Sequence, residues 1–158
     1  MWSAALSPLS KDSHSEGFVT EKASIRIRLE KLQEFIALLK QYRKLSWLAF
    51  KNDLTVQGAA QHYFILAIEC CLDIGEIIIA DCRFRHPTDN RDVFRILGEH
   101  RVLSKPFAEK FMLAAGFRNL LVHGYTKVDM EKVYQHLRKD LGQFSTFAKS
   151  VSLFTSKQ

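Results

Sequence analysis

At 158 residues, 47% of them apolar and 25% charged, the chain is long enough for one domain with a sizeable core, short of two, and too apolar to be disordered throughout. Its formal charge of +6 and pI near 9.3 favour polyanionic partners, because Lys and Arg displace counterions from phosphate, although many basic proteins never touch nucleic acid. The three cysteines, Cys70, Cys71 and Cys82, lack Cys-x-x-Cys spacing, and the first two point about 100° apart on a helix, which excludes a zinc corner between them and favours core thiols of a reducing cytosol.

Residues 1–18, Ser-rich with Pro8 and Gly17, read as a flexible leader without the basic start or apolar length of a signal peptide, and residues 19–158 as the folded domain. From Glu21 to about Trp47, Ile25, Leu29, Leu32, Ile36 and Leu39 recur in alternating steps of four and three, the stripe of an amphipathic helix. Asn52 and Asp53 mark a turn, and Thr55 is placed to cap the next helix, which runs to about Asp81. That helix carries Phe64, Ile68, Cys71, Gly75 and Ile78 as one stripe and is apolar on most sides, so it needs cover from its own bundle or from a second subunit. Glu69, Asp73 and Glu76 interrupt its most apolar run, which rules out a membrane span. With His62 they form a polar strip that either pairs with Arg118 or another subunit, or is simply solvated.

A basic loop follows, and then a short helix over about Arg91 to His100. Arg83, Arg85, Arg91 and Arg95 are candidates for an RNA-backbone patch, with a solvated basic loop as the plainer alternative. Ser104 and Pro106 begin a fourth helix through Phe107, Phe111, Ala114 and Phe117 to about Val122. Gly124 stands where a helix end calls for a left-handed residue. Asp129 caps the last helix, with Val133, Leu137, Leu141, Phe144, Ala148 and Val151 as its stripe. Since no segment alternates with period two, the expected architecture is all-α: an up-and-down bundle of four long helices plus one short one.

The chemistry concentrates in Arg118-Asn119-Leu120-Leu121-Val122-His123-Gly124-Tyr125, at the end of an otherwise apolar helix. A guanidinium offers a fixed-charge fork for a phosphate, and an imidazole gives and takes protons near neutral pH. Together they meet the minimum for RNA cleavage without a metal, in which the imidazole handles the 2′-hydroxyl or leaving-group proton and the cation stabilises charge on the phosphorus. Positions five apart are separated by about 140° on a helix, so Arg118 and His123 converge only if the helix ends at His123-Gly124 or if facing copies in a dimer complete each other's site. The same residues also fit a helix end at which Arg118 caps carbonyls and His123 packs on Tyr125. No Gly-rich phosphate loop, zinc spacing or Ser/His/Asp arrangement is present.

Arg118, His123 and Tyr125 form an Arg-x4-His-x-Tyr pattern that resembles the motif of HepT toxins, of the HEPN ribonuclease superfamily; Asn119 after the Arg is also common in HEPN motifs. The likeness spans roughly residues 21–152, including the Phe50-Lys51-Asn52-Asp53 turn, the helix from Gln61 to Ala80, the Asp92-Val93-Phe94-Arg95-Ile96-Leu97 segment and Gly116-Phe117 ahead of the motif. The resemblance implies a homodimeric, metal-independent, cytoplasmic endoribonuclease toxin that needs no cofactor and acts on tRNA or mRNA. In it Arg118 and His123 are the catalytic pair, Asn119 is in support, and Tyr125 receives AMP from an MntA-type nucleotidyltransferase antitoxin that thereby silences the toxin. The sequence departs at His62, where many members of that family carry Arg, which bears on how RNA is held. Two other functions remain open on sequence: a non-catalytic HEPN module that presents a nucleotide or substrate to a nucleotidyltransferase, and a helical interaction protein without a site.

Overall fold

The computed structural model describes residues 17–158, so the expected leader lies almost wholly outside the described residues. The described chain is all helical: α1 Gly17–Arg43, α2 Trp47–Lys51, α3 Leu54–Asp81, α4 Asn90–Glu99, α5 Lys105–His123, a 3₁₀ turn Tyr125–Lys127, α6 Met130–Lys139 and α7 Gly142–Ser156. α3 is the central rod, packed against α1, α2, α4, α5 and α6. Its stripe of Phe64, Ile68, Cys71, Gly75 and Ile78 is buried, as are Ile25, Leu32, Ile36 and Leu39 of α1. Gly75 lets α4 come close, since a Cβ there would lie 2.6 Å from Val93 Cγ1. No helix among the described residues is long and apolar enough to cross a membrane.

Four local features differ from the sequence reading. The first helix ends at Arg43 and not near Trp47, because Ser46 caps a separate α2 by accepting from Ala49 N at 3.1 Å. Two α6 side chains hold that break: the Tyr134 hydroxyl donates to Leu45 O at 2.7 Å and Arg138 to Arg43 O at 3.2 Å. Asp53, not Thr55, caps α3, accepting from Val56 N at 3.1 Å. The predicted last helix is divided into α6 and α7 at Asp140-Leu141, although its stripe is kept: Val133, Leu137, Leu141, Phe144 and Val151 are all buried. Gly124, finally, does not adopt the left-handed conformation, having φ −108° and ψ 31°. The left-handed residues are Arg83 (φ 55°) and Arg101 (φ 57°), which close α3 and α4 with Phe84 N donating to Ile79 O and Val102 N to Leu97 O, both at 2.9 Å.

The cysteines behave as core thiols. Cys70 and Cys71 are buried and Cys82 half-buried. Burial, with the nearby Asp73 charge adding to it, pushes the Cys70 thiol up to about 11, away from the thiolate that metals and disulfide exchange require. Among the described residues no group of three or more His, Cys, Asp or Glu is placed to hold a metal ion.

Candidate active site at the end of α5

Arg118 points from α5 onto α3. Its Nε donates in a short contact to Glu69 Oε1, and the ion pair is largely shielded, with 20% of the Arg and 33% of the Glu side chain exposed. Arg118 NH1 donates to Asn119 Oδ1 at 3.2 Å, and the same oxygen accepts from Asn90 Nδ2 at 3.3 Å. A carboxylate, a guanidinium and two amides thus tie α3, α5 and the start of α4 together. Arg118 does not cap carbonyls, and one member of the polar strip finds its partner in it. Asp73 pairs with Arg28 at 3.4 Å, while His62 and Glu76 are exposed.

His123 occupies the last turn of α5 and is exposed. The helix ends where the sequence placed its end, but His123 is itself still helical, so within one chain it stays about 140° around from Arg118. Tyr125 follows on the 3₁₀ turn and is 75% exposed, so its ring does not pack on the bundle. The C-terminal part of α5 and the turn after it therefore carry a pinned guanidinium, an exposed imidazole and an exposed phenol.

The four arginine candidates separate. Arg85 grips Asp92 with both guanidinium ends, at 2.7 and 2.8 Å, and also pairs with Glu99 at 2.9 Å. Arg95 joins the same Asp92 at 3.0 Å. Asp92 is 1% exposed, and Arg85 above all holds its carboxyl well below the usual carboxylate range. Arg85 and Arg95 are thus engaged in fixing the loop before α4, where Thr88 N also donates to Asp92 at 2.9 Å. Arg83 is exposed at the end of α3. Arg91 alone approaches the motif: its guanidinium lies over Gly116, where a Cβ would sit 2.6 Å from NH2, two residues ahead of Arg118.

Sequence reasoning missed Asn90 and Asp92. Neither stands in a periodic pattern; the role of Asn90 depends on α4 folding back onto α5, and that of Asp92 on the loop before α4 turning Arg85 onto it. The one available signal was that Asp92, like Asp89, lies among four arginines.

An all-helical bundle that presents Arg-Asn-x3-His-x-Tyr at the end of a long helix has the architecture of a HEPN-type domain. More particularly, the chain belongs to the ribonuclease HepT-like family, whose model matches residues 32–151. It is 28% identical over 104 residues to the mRNA nuclease HepT of Shewanella oneidensis, a match covering 64% of this chain and 78% of that protein. It is 22% identical over 134 residues to the tRNA nuclease HepT of Aphanizomenon flos-aquae, covering 85% and 91% respectively. Its fold matches that of the tri-AMPylated HEPN toxin of Shewanella oneidensis, solved in complex with an MNT antitoxin, with a TM-score of 0.76 at 22% identity over 82% of this chain and 96% of that one.

Proposed function

We propose that this protein is an RNA-cleaving toxin of the HepT type, a cytoplasmic homodimer silenced by AMP transfer to Tyr125 from a partner nucleotidyltransferase. The observation that carries this reading is the intact motif inside the family match: Arg118 is pre-positioned by Glu69 and Asn119, and His123 and Tyr125 are exposed beside it. The names of the two nuclease relatives support RNA as the substrate class, and the AMPylated toxin complex supports an MntA-type partner.

In the proposed reaction His123 takes the proton of the ribose 2′-hydroxyl. The 2′-oxygen attacks the adjacent phosphorus, and Arg118 carries the charge that grows on the phosphoryl oxygens. The P–O5′ bond breaks, the leaving oxygen takes up a proton, and the products are a 2′,3′-cyclic phosphate and a 5′-hydroxyl. Arg91, lying over the helix just ahead of Arg118, is the best placed of the arginine candidates to hold the RNA backbone.

Purified protein incubated with tRNA and with mRNA in EDTA tests the reading. Cleavage is expected with the parent and is expected to vanish in His123→Ala, whose melting temperature should hardly move because the side chain is exposed. Parent-rate cleavage by His123→Ala would remove the proposed proton carrier. A parent protein that binds RNA and never cuts it would be the non-catalytic binding module.

A further inference from the structure

A hollow of about 310 Å3 opens beside the motif, between α3, α5, α6 and α7. Phe64, Ile68, Phe111 and Phe144 make its apolar floor, and Ala114 and Phe117 bring α5 along one side. Ala114 is about one turn, or ~6 Å, before Arg118, and Phe117 immediately precedes it. Arg118, the residue proposed to hold the scissile phosphate, does not line the hollow itself but follows two of its lining residues on α5.

Its rim is polar. His136 Nδ1 lies 2.6 Å from Asp140 Oδ2, and Gln143 Nε2 donates to Asp140 Oδ1 at 3.1 Å. Each carboxylate oxygen is thus engaged by a polar nitrogen, and the second ring nitrogen of His136, Nε2, is left as a hydrogen-bonding group at the rim. Gln143 keeps its amide oxygen and a second N–H. The His136 ring stands 4.5 Å from that of Phe117, tilted by 47°, and Lys110 adds a cation to the lining. None of these residues belongs to the Arg118–His123–Tyr125 motif, and Asp140 sits at the break between α6 and α7.

We infer that this hollow is a nucleobase subsite, which takes the base next to the scissile phosphate and sets which base is cut beside. The inference rests on the RNA-cleavage reading above. The volume falls at the small end of the range for ligand pockets, room for one base and not for a run of nucleotides. Sequence-selective RNA recognition works by splaying out an unstacked base, stacking it on aromatic rings and reading its edge with hydrogen bonds, and Phe117, His136 and Gln143 supply those elements together. An apolar protein side chain would fill the floor but leave the His136 and Gln143 groups facing it unused.

Titration with AMP, GMP, CMP and UMP, followed by NMR of the His136 ring and the Ala114 methyl, tests base binding directly. In parallel, kcat/KM is measured for four oligonucleotides that differ in the one base beside the cleaved bond. One monophosphate is expected to shift both signals at the lowest concentration, and the matching oligonucleotide to be preferred by about tenfold or more, the value of one good base contact. Gln143→Ala should bring the four within about twofold of one another, and Ala114→Leu, which fills the hollow, should raise KM more than it lowers kcat. Absence of base-selective shifts, or a preference that both variants leave unchanged, overturns the subsite while cleavage stands. Base-selective shifts in a protein that cuts no RNA keep the base site and sink the cleavage reading. Signals that respond only to the nucleotidyltransferase or to dimerisation would make the hollow a protein contact and overturn the proposal.

Discussion

Arg118 is held by Glu69 of α3 and by its own neighbour Asn119, and that bears on what it can do. Glu69 and Asn119 restrain the guanidinium, and Asn90 restrains Asn119, so in the proposed reaction little freedom would be lost on taking a phosphate. Tyr125 is in the opposite condition, 75% exposed on a short turn that another enzyme can reach. An added AMP sets a negative phosphate and a purine two residues from His123, competing with RNA for the same cation. Tyr125→Phe is therefore expected to stay toxic and to resist silencing. Intact-mass spectrometry after incubation with the partner nucleotidyltransferase and ATP should show one or more AMP additions on the parent and none on the variant. Tyr134, whose hydroxyl is donated to Leu45 O, and Tyr63, stacked near Phe35 and Tyr42, are poorer acceptors; AMP mapping to either would move the switch elsewhere. Asp92, by contrast, bears on stability. Its carboxyl is held below its unfolded value near 3.9, so its contribution is complete at neutral pH, begins to fade as pH drops past about 4, and is gone once pH passes the folded value. The urea midpoint should be flat from about pH 7 to 5 and then fall. Asp92→Asn should lower the unfolding free energy at pH 7 by roughly 2 kcal/mol, less than for a fully buried pair because Arg85 is half-exposed, and should flatten the acid limb. An acid limb of unchanged steepness in the variant would assign the pH dependence to other carboxylates.

At the scale of elements, sequence periodicity located the long helices and their buried faces, because a stripe at 3.6 spacing is a local signal that tertiary contacts rarely overturn. What it could not locate were the breaks. The end of α1 depends on Tyr134 and Arg138, which reach back from some 90 residues later, and the α6–α7 division leaves the hydrophobic stripe uninterrupted. The motif was legible as a string of residues, whereas its setting, with Asn90 behind Asn119, required knowing how α4 lies on α5. Two glycines of α3 make the influence of packing measurable. Gly58 is exposed with nothing within 4 Å of a Cβ, so Gly58→Ala should stabilise the helix by about 1 kcal/mol. The same change at Gly75 would drive a methyl against Val93 at 2.6 Å and Leu97 at 3.3 Å, in a core with little slack. Overpacking of this kind costs about 1–3 kcal/mol, enough to outweigh the propensity gain. Thermal melts should therefore shift in opposite directions for the two variants; a rise for Gly75→Ala would mean that α4 yields easily.

At the scale of the whole molecule, the unresolved geometry is the separation of Arg118 and His123. Arg118 faces α3, and His123 is turned about 140° away while still helical. A two-fold arrangement removes the difficulty, because an isologous interface presents the same surface of both copies to each other and lets the Arg of one meet the His of the other. Val122, 37% exposed, supplies apolar area beside the motif for such a contact. Light scattering at micromolar concentration should report about twice the 18.2 kDa chain mass. A sharper test mixes two dead variants. If each site draws Arg118 from one copy and His123 from the other, co-expressed Arg118→Ala and His123→Ala chains form heterodimers with one intact site, and random pairing should restore about a quarter of parent activity. If both residues act within one chain, every site in every pairing lacks a member and nothing returns. Recovery well above background, lost when the variants are kept in separate tubes, would establish the shared site; persistent inactivity of a mixture shown by mass to contain heterodimers would place the whole site in a single chain.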